Sequence, residues 1–346
     1  MSTKTIAKSL PRLTRVKAGL SSRVKAGKTP KQLLAPGHRA CAGCGQMIAA
    51  RAVVETLGSN TIIANATGCL EVTTTPYPES AWGMPWIHSL FENPSAIASG
   101  IRAALNYKQN HYKSLPREAR LSAKLEEVGE DARRAGGGIK VVAQGGDGAT
   151  FDIGFGLISG MWERKENILY VCYDNEAYMN TGIQASGATP YGANTTTSPT
   201  GSQSFGSQLR KKDMIAIALA HRVPYIAQTT AGYIEDIKTK IKRAMEIEGP
   251  AYLQILVPCI PGWKINSAHT IKIGKLAAQT GFYPVIEFIN GQLTNTMKIS
   301  QPQIKIDEYL KIQGRFKHLL KTPEGKEQIK FLQQMVDENI EKYNLK

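Results

Sequence analysis

One stretch, residues 139–184 (IKVVAQGGDGATFDIGFGLISGMWERKENILYVCYDNEAYMNTGIQ), restricts the possible folds more than any other part of the chain. Ile139, Val141 and Val142 are β-branched and read as a strand, which Gly145-Gly146-Asp147-Gly148 ends sharply. Phe151 to Arg164 then carries apolar residues at helical spacing, and Asn167 to Tyr173 is an almost continuous apolar run. Such a run suits a parallel strand covered on both faces. The unit is therefore βαβ-like, with Asp147 ending its first strand and Asp174-Asn175 its second. Doubly wound sheets bind ligands at such carboxyl ends.

With 346 residues, 42% hydrophobic residues and 32 glycines, the chain suits a globular α/β protein of one large or two ordinary domains. No apolar run approaches the ~18 residues of a membrane span, and the basic N-terminus lacks the apolar core of a secretory signal. Five cysteines, two of them in a CxxC pair, fit a reducing compartment better than a disulfide framework, so a cytoplasmic location is expected. The net charge of +15 is unevenly spread: residues 1–39 hold ten Lys or Arg and no acid, and 300–346 hold nine bases against seven acids. Residues 40–299 are thus close to neutral. A solvated or partner-gripping arm is expected at 1–36 rather than a nucleic-acid surface.

The body is expected to span 37–300, with charged peripheral helices over 301–346. Gln46 to Leu57 has helical spacing and a natural stop at Gly58. A short strand from Thr61 to Ala64 leads to Thr67-Gly68-Cys69-Leu70-Glu71, and 73–93 reads as an ordered loop. A small-residue helix is expected over 94–107, then a charged surface helix and glycine hinge over 108–138. Residues 185–208 form a long polar loop of the kind that is usually functional. Asp213 caps a helix to Ala220; a strand at 223–228, a helix at 233–247 and a strand at 251–257 follow. Residues 264–300 should hold a helix and a short β segment.

Two constellations carry chemistry. In the first, Gly146-Asp147-Gly148 is followed after 26 residues by Asn175. A pyrophosphate needs a divalent cation, and that cation needs hard oxygen ligands near a helix start. The Asp147 carboxylate, the Asn175 amide oxygen and the Ala177 carbonyl could supply them, while backbone N–H groups of the glycine turn receive the anion. In the second, Cys41 and Cys44 form the CxxC pair, and Cys69 and Cys259 each follow an expected strand, so all four could meet at one sheet end. Four thiolates suit a 4Fe–4S cluster or Zn²⁺; separate buried or redox thiols are the remaining reading. Cys172 lies in the apolar strand and reads as core.

The GDG-to-Asn stretch resembles the thiamine diphosphate and Mg²⁺ motif, although the family's closing Asn is often doubled and this chain has Asp174-Asn175. Together with the cysteines, the chain resembles the β subunit of 2-oxoacid:ferredoxin oxidoreductases, most closely those acting on pyruvate. The residues carrying this are CAGCG at 41–45, TGCLE at 67–71, GDGATFDIGFG at 146–156, DNEAYMNTGIQ at 174–184, SGATP at 186–190 and VPCIPGW at 257–263. The expected fold is a doubly wound, mostly parallel sheet of the thiamine-diphosphate-binding type.

The resemblance implies CoA-dependent oxidative decarboxylation of a 2-oxoacid, with electrons passing singly to ferredoxin. Asp147, Asn175 and Ala177 take the Mg²⁺ roles, and Gly146, Gly148, Ala149, Thr181 and Gly182 join them in holding the cofactor. Cys41, Cys44, Cys69 and Cys259 carry the cluster, and Asn180 matches an active-site Asn. The glutamate that activates the aminopyrimidine, and the grip on the substrate carboxylate, are expected on an α subunit. γ and δ subunits or domains are expected to pass electrons on. Glu71, His38 and His88 are better read as structural. Rival readings are a branched-chain 2-oxoacid or 2-oxoglutarate substrate, a non-oxidative thiamine decarboxylase or carboligase, a zinc-stabilised nucleic-acid binder and a non-catalytic scaffold.

Overall fold

The computed structural model describes residues 32–76, 78–114, 116 and 138–346. The expected N-terminal arm to residue 31, and most of the charged stretch after 114, lie outside the described residues. Among the described residues ten strands occur: β1 (Thr61–Asn65), β2 (Trp86–His88), β3 (Lys140–Gly146), β4 (Leu169–Asp174), β5 (Thr200–Gly201), β6 (Ser204–Phe205), β7 (Tyr225–Thr230), β8 (Ala251–Leu256), β9 (Ile286–Ile289) and β10 (Gln292–Thr296). Eight of them form one sheet in the order β10-β9-β7-β8-β4-β3-β1-β2. From β7 to β2 all neighbours are parallel; β9 runs antiparallel to β7, and β10 to β9. This is the expected mostly parallel sheet.

Alternation along the central strands explains how both faces are covered. Val141, Ala143, Tyr170, Cys172, Ile226 and Tyr252 enter one core; Val142, Leu169, Val171, Tyr173, Ala227 and Leu253 enter the other. Successive side chains of a strand point to opposite faces, so a continuous apolar run is what a doubly covered strand requires. The second core is roofed by helices Gly45–Leu57 and Ile234–Glu246, which contribute Val53, Val54, Ile237 and Ile241. The first takes Ile158 and Trp162 from helix Phe155–Glu163, Ile273 and Ala277 from Thr270–Gln279, and Leu332 and Val336 from Pro323–Lys342.

The structure corrects several expectations. The expected helix from Phe151 to Arg164 is two segments: a π-helical turn, Gly148–Ile153, and then helix Phe155–Glu163. The joint is Gly154, whose N–H bonds the Ala149 carbonyl at 3.0 Å and where a Cβ would lie 2.3 Å from that oxygen. Only glycine permits that approach. The loop expected over 73–93 contains edge strand β2, and the helix expected to end at Tyr107 continues to Ser114. The chain packs before residue 37: Leu33 and Leu34 are buried in the second core, and Leu34 bridges Trp82. The C-terminal segment is not wholly peripheral, since Leu332, Val336, Tyr343 and Leu345 all lie in the first core.

Candidate active site at the carboxyl ends of the strands

β1, β3, β4 and β8 all end on one edge, at Asn65, Gly146, Asp174 and Leu256, as their parallel registers dictate. A cavity there is lined by Asn65 to Leu70, Gly145 to Gly148, Asn175, Ala177 and Tyr178 to Thr181, with Gln46 and Phe91 at its sides. Gly146, Asp147, Gly148, Asn175, Ala177, Asn180 and Thr181 are thus brought together, with Asn180 and Thr181 exposed at the mouth. Ala149 and Gly182 are not on the wall. Ala149 is fully buried within the π turn, and Gly182 takes a φ of +123° beyond the rim, its carbonyl accepting from Thr196 Oγ1 at 3.0 Å.

The floor of this cavity is an oxygen cluster. The Asn175 amide end nearest Asp147 lies 2.9 Å from Asp147 Oδ1 and 2.8 Å from the Ala177 carbonyl oxygen. With its NH₂ turned inward the amide donates to both. With its oxygen turned inward, that oxygen stands from each of the other two at the spacing of an octahedral edge, about 2.9 Å for metal–oxygen bonds of about 2.1 Å. Such a donor set fits a hard divalent cation of the size of Mg²⁺. Burial pushes Asp147 well above the usual carboxylate range and the Asp174 charge adds to this, while Ser186 and Lys211 act in the opposite direction. Ser186 donates to Asp147 Oδ2. A bound cation would reverse the balance and hold Asp147 ionised.

A second cavity abuts the first and shares Gln46, Cys69, Asn175 and Met179 with it. Cys41, Cys44, Cys69 and Cys259 all line it, so four residues spread over more than 200 positions meet at one place. The approach depends on Gly45, whose N–H donates to the Pro258 carbonyl at 3.2 Å and where a Cβ would stand 2.8 Å from Pro258 N and O. All five cysteines are unpaired. Among the described residues, no three His, Cys, Asp or Glu side chains are gathered tightly enough for one metal ion. Burial pushes the Cys69 and Cys259 thiols up to about 12, helped by the charges of the other cysteines, and raises Cys44 as well. Cationic iron or zinc would lower all of them. Cys172 is fully buried in β4, as expected of a core residue.

Several site residues carried no recognisable signal in sequence. Gln144 Nε2 donates to Asn65 Oδ1 at 2.7 Å and so fixes a cavity-lining amide from beneath. Behind Asn175, Lys211 Nζ lies 2.5 Å from Asp174 and 2.9 Å from Glu176, and Arg315 reaches Glu176 at 2.6 Å. Trp263 Nε1 donates to the Asn175 carbonyl at 2.8 Å, and the Arg315 guanidinium covers its ring. His88 bonds Thr67 Oγ1 at 2.8 Å and stands 3.9 Å from Glu71, and the Ala40 N–H meets His38 Nδ1 at 3.4 Å. Each of the three therefore has a local partner.

Residues 120–255 match the family of the thiamine pyrophosphate enzyme, C-terminal TPP binding domain. The chain is 45% identical over 316 residues to pyruvate synthase subunit PorB of Methanosarcina barkeri, covering 91% of this chain and 98% of that one. The chain belongs to the PorB family, the β subunits of 2-oxoacid:ferredoxin oxidoreductases. PorB of Methanocaldococcus jannaschii is 48% identical, covering 89% of this chain and 95% of that subunit. Ketoisovalerate oxidoreductase subunit VorB of Pyrococcus abyssi is 41% identical over 88% of this chain and 90% of its own. The protein is therefore one subunit of a multi-subunit oxidoreductase with a thiamine pyrophosphate domain. No helix among its described residues is long and apolar enough to cross a membrane.

Proposed function

We propose that this chain is the β subunit of a cytoplasmic pyruvate:ferredoxin oxidoreductase, holding thiamine diphosphate, Mg²⁺ and one 4Fe–4S cluster. The single observation that supports this most is the pair of abutting cavities, one floored by convergent oxygens and one ringed by four cysteines, sharing Cys69 and Asn175. Asp147, Asn175 and the Ala177 carbonyl would hold Mg²⁺, and the cavity edge from Gly146 to Gly148 would receive the diphosphate. Cys41, Cys44, Cys69 and Cys259 would hold the cluster, one thiolate to each iron. When bound, thiamine diphosphate supplies the nucleophilic carbon and electron sink for decarboxylation.

What the chain itself contributes is position. Gln144 holds the Asn65 amide at the cavity wall, Thr67 stands at the wall with His88 behind it, and Asn180 lines the mouth, where it would meet the substrate. Among the described residues, the lining includes no glutamate, and an α subunit would supply the acid–base group. γ and δ subunits would carry electrons to ferredoxin, and CoA would accept the acyl group. The 41% identity to VorB favours a branched-chain 2-oxoacid as the second reading of substrate.

The test is to purify the complex without oxygen and assay CoA-dependent dye reduction across 2-oxoacids. Pyruvate should give the highest kcat/KM, and a preference for branched 2-oxoacids would replace that assignment. In a Cys259→Ser complex, iron should fall by about four atoms per β subunit while thiamine diphosphate stays bound. Unchanged iron would remove the cluster from these cysteines.

A further inference from the structure

Directly behind the oxygen cluster lies a buried charge network that the proposed chemistry does not use. Asp174, Glu176 and Arg315 are essentially fully buried, and the Lys211 ammonium lies between the two carboxylates. Asp174 also accepts from Gln254 Nε2 at 3.1 Å and Tyr283 OH at 3.2 Å. Two carboxylates face two cations, so the group is neutral overall. It grips the segment that carries Asn175 and Ala177. The Glu176 N–H donates to Asp174 Oδ1 at 3.2 Å, and the Glu176 carbonyl accepts from Thr189 Oγ1 at 2.9 Å. Glu176 itself has a φ of +67°, a left-handed conformation that a non-glycine residue holds only when its surroundings impose it. That backbone twist lets the side chains of Asn175 and Glu176 serve opposite sides of the loop, while the Ala177 carbonyl joins Asn175 and Asp147. Trp263 holds the Asn175 carbonyl, and Arg315 lies 3.8 Å over the Trp263 ring.

We infer that Lys211 is a positioning residue for the thiamine diphosphate and cation site. Its ammonium neutralises Asp174, which stands where related motifs often have a second Asn, and so keeps the Asn175–Ala177 loop in its oxygen-presenting shape. Arg315, contributed by the C-terminal segment, performs the same service for Glu176. The inference rests on the proposed cofactor reading. A buried carboxylate that loses its counter-ion leaves an uncompensated charge next to an anionic diphosphate, whereas removing both charges together restores neutrality.

The experiment strips the purified complex of thiamine diphosphate and Mg²⁺ and measures rebinding of thiamine diphosphate at saturating Mg²⁺ by equilibrium dialysis. Absence of rebinding by the unaltered complex would count against the cofactor reading itself. Given that rebinding, Lys211→Met should weaken it about 10–100-fold, the range for groups that orient metal ligands, with iron content unchanged. The Asp174→Asn/Lys211→Met double variant should recover affinity to within about threefold of the unaltered complex, which a purely packing role of the lysine stem would not produce. Unchanged or tighter binding by Lys211→Met, or a double variant no better than the single one, overturns the inference. If Lys211→Met does not assemble, the double variant decides alone: assembly with bound cofactor supports the charge argument, and failure to assemble overturns it.

Discussion

Gly45 has no room for a side chain. A Cβ there would meet the backbone of Pro258 at 2.8 Å, and a backbone cannot rotate away as a flexible side chain can. Gly45→Ala should therefore separate the CxxC turn from Cys259. A loss of about 1–3 kcal/mol is expected, with reduced iron, read by thermal unfolding and metal analysis of the complex. Gly100 provides the contrast: it lies in helix Pro94–Ser114 with nothing within 4 Å of its would-be Cβ. Gly100→Ala should leave iron untouched and stabilise by about 0.4–1 kcal/mol. Both are glycines at helical positions, and spacing alone does not separate them. Asp147 and Asn175 were legible because the glycine turn and the strand ends fix both. Lys211 was not, because its partners Asp174 and Glu176 lie more than 30 residues away in sequence.

At the scale of elements, continuous burial on both faces of β3, β4, β7 and β8 agrees with their largely apolar runs, and these strands appear within about two residues of expectation. The π turn was not legible, since its cause is the meeting of the Gly154 N–H with the Ala149 carbonyl, a contact five residues long that helical periodicity does not encode. Edge strand β2 was hidden by the Pro- and Trp-rich composition around it, which edge positions tolerate. Helix Pro323–Lys342 looked peripheral because charge dominates its sequence. Its stripe of Leu332, Val336 and Ile340 nevertheless enters the first core. Leu332→Ala should cost about 2–5 kcal/mol and lower the unfolding temperature of this subunit in the complex. A cost below about 1 kcal/mol would mean that the helix only rests on the surface.

At the scale of the whole molecule, the described residues are built on one eight-stranded sheet, beside the small β5–β6 pair, and the carboxyl ends of its parallel strands carry two cavities side by side. Among the described residues, the walls carry amides, hydroxyls, thiols and one buried carboxylate, but no glutamate. The reconstituted chain alone is thus expected to show no pyruvate- and CoA-dependent dye reduction, and addition of its partner subunits should restore it. Robust turnover by the isolated chain would mean that it supplies its own acid–base group.

By itself the sequence determined the two strands of the cradle, its glycine turn and the Cys41–Cys44 pair, because these follow from local residue chemistry and short spacing. Only the tertiary structure decided that Cys69 and Asn175 belong to both cavities, and that Gly45 lets Pro258 approach. Only the fold, too, showed that Asp174 is neutralised by Lys211 while Arg315 reaches back over Trp263. Those contacts join segments far apart in the chain, where the register of parallel strands and the packing of two cores fix the distances and local preference has no influence.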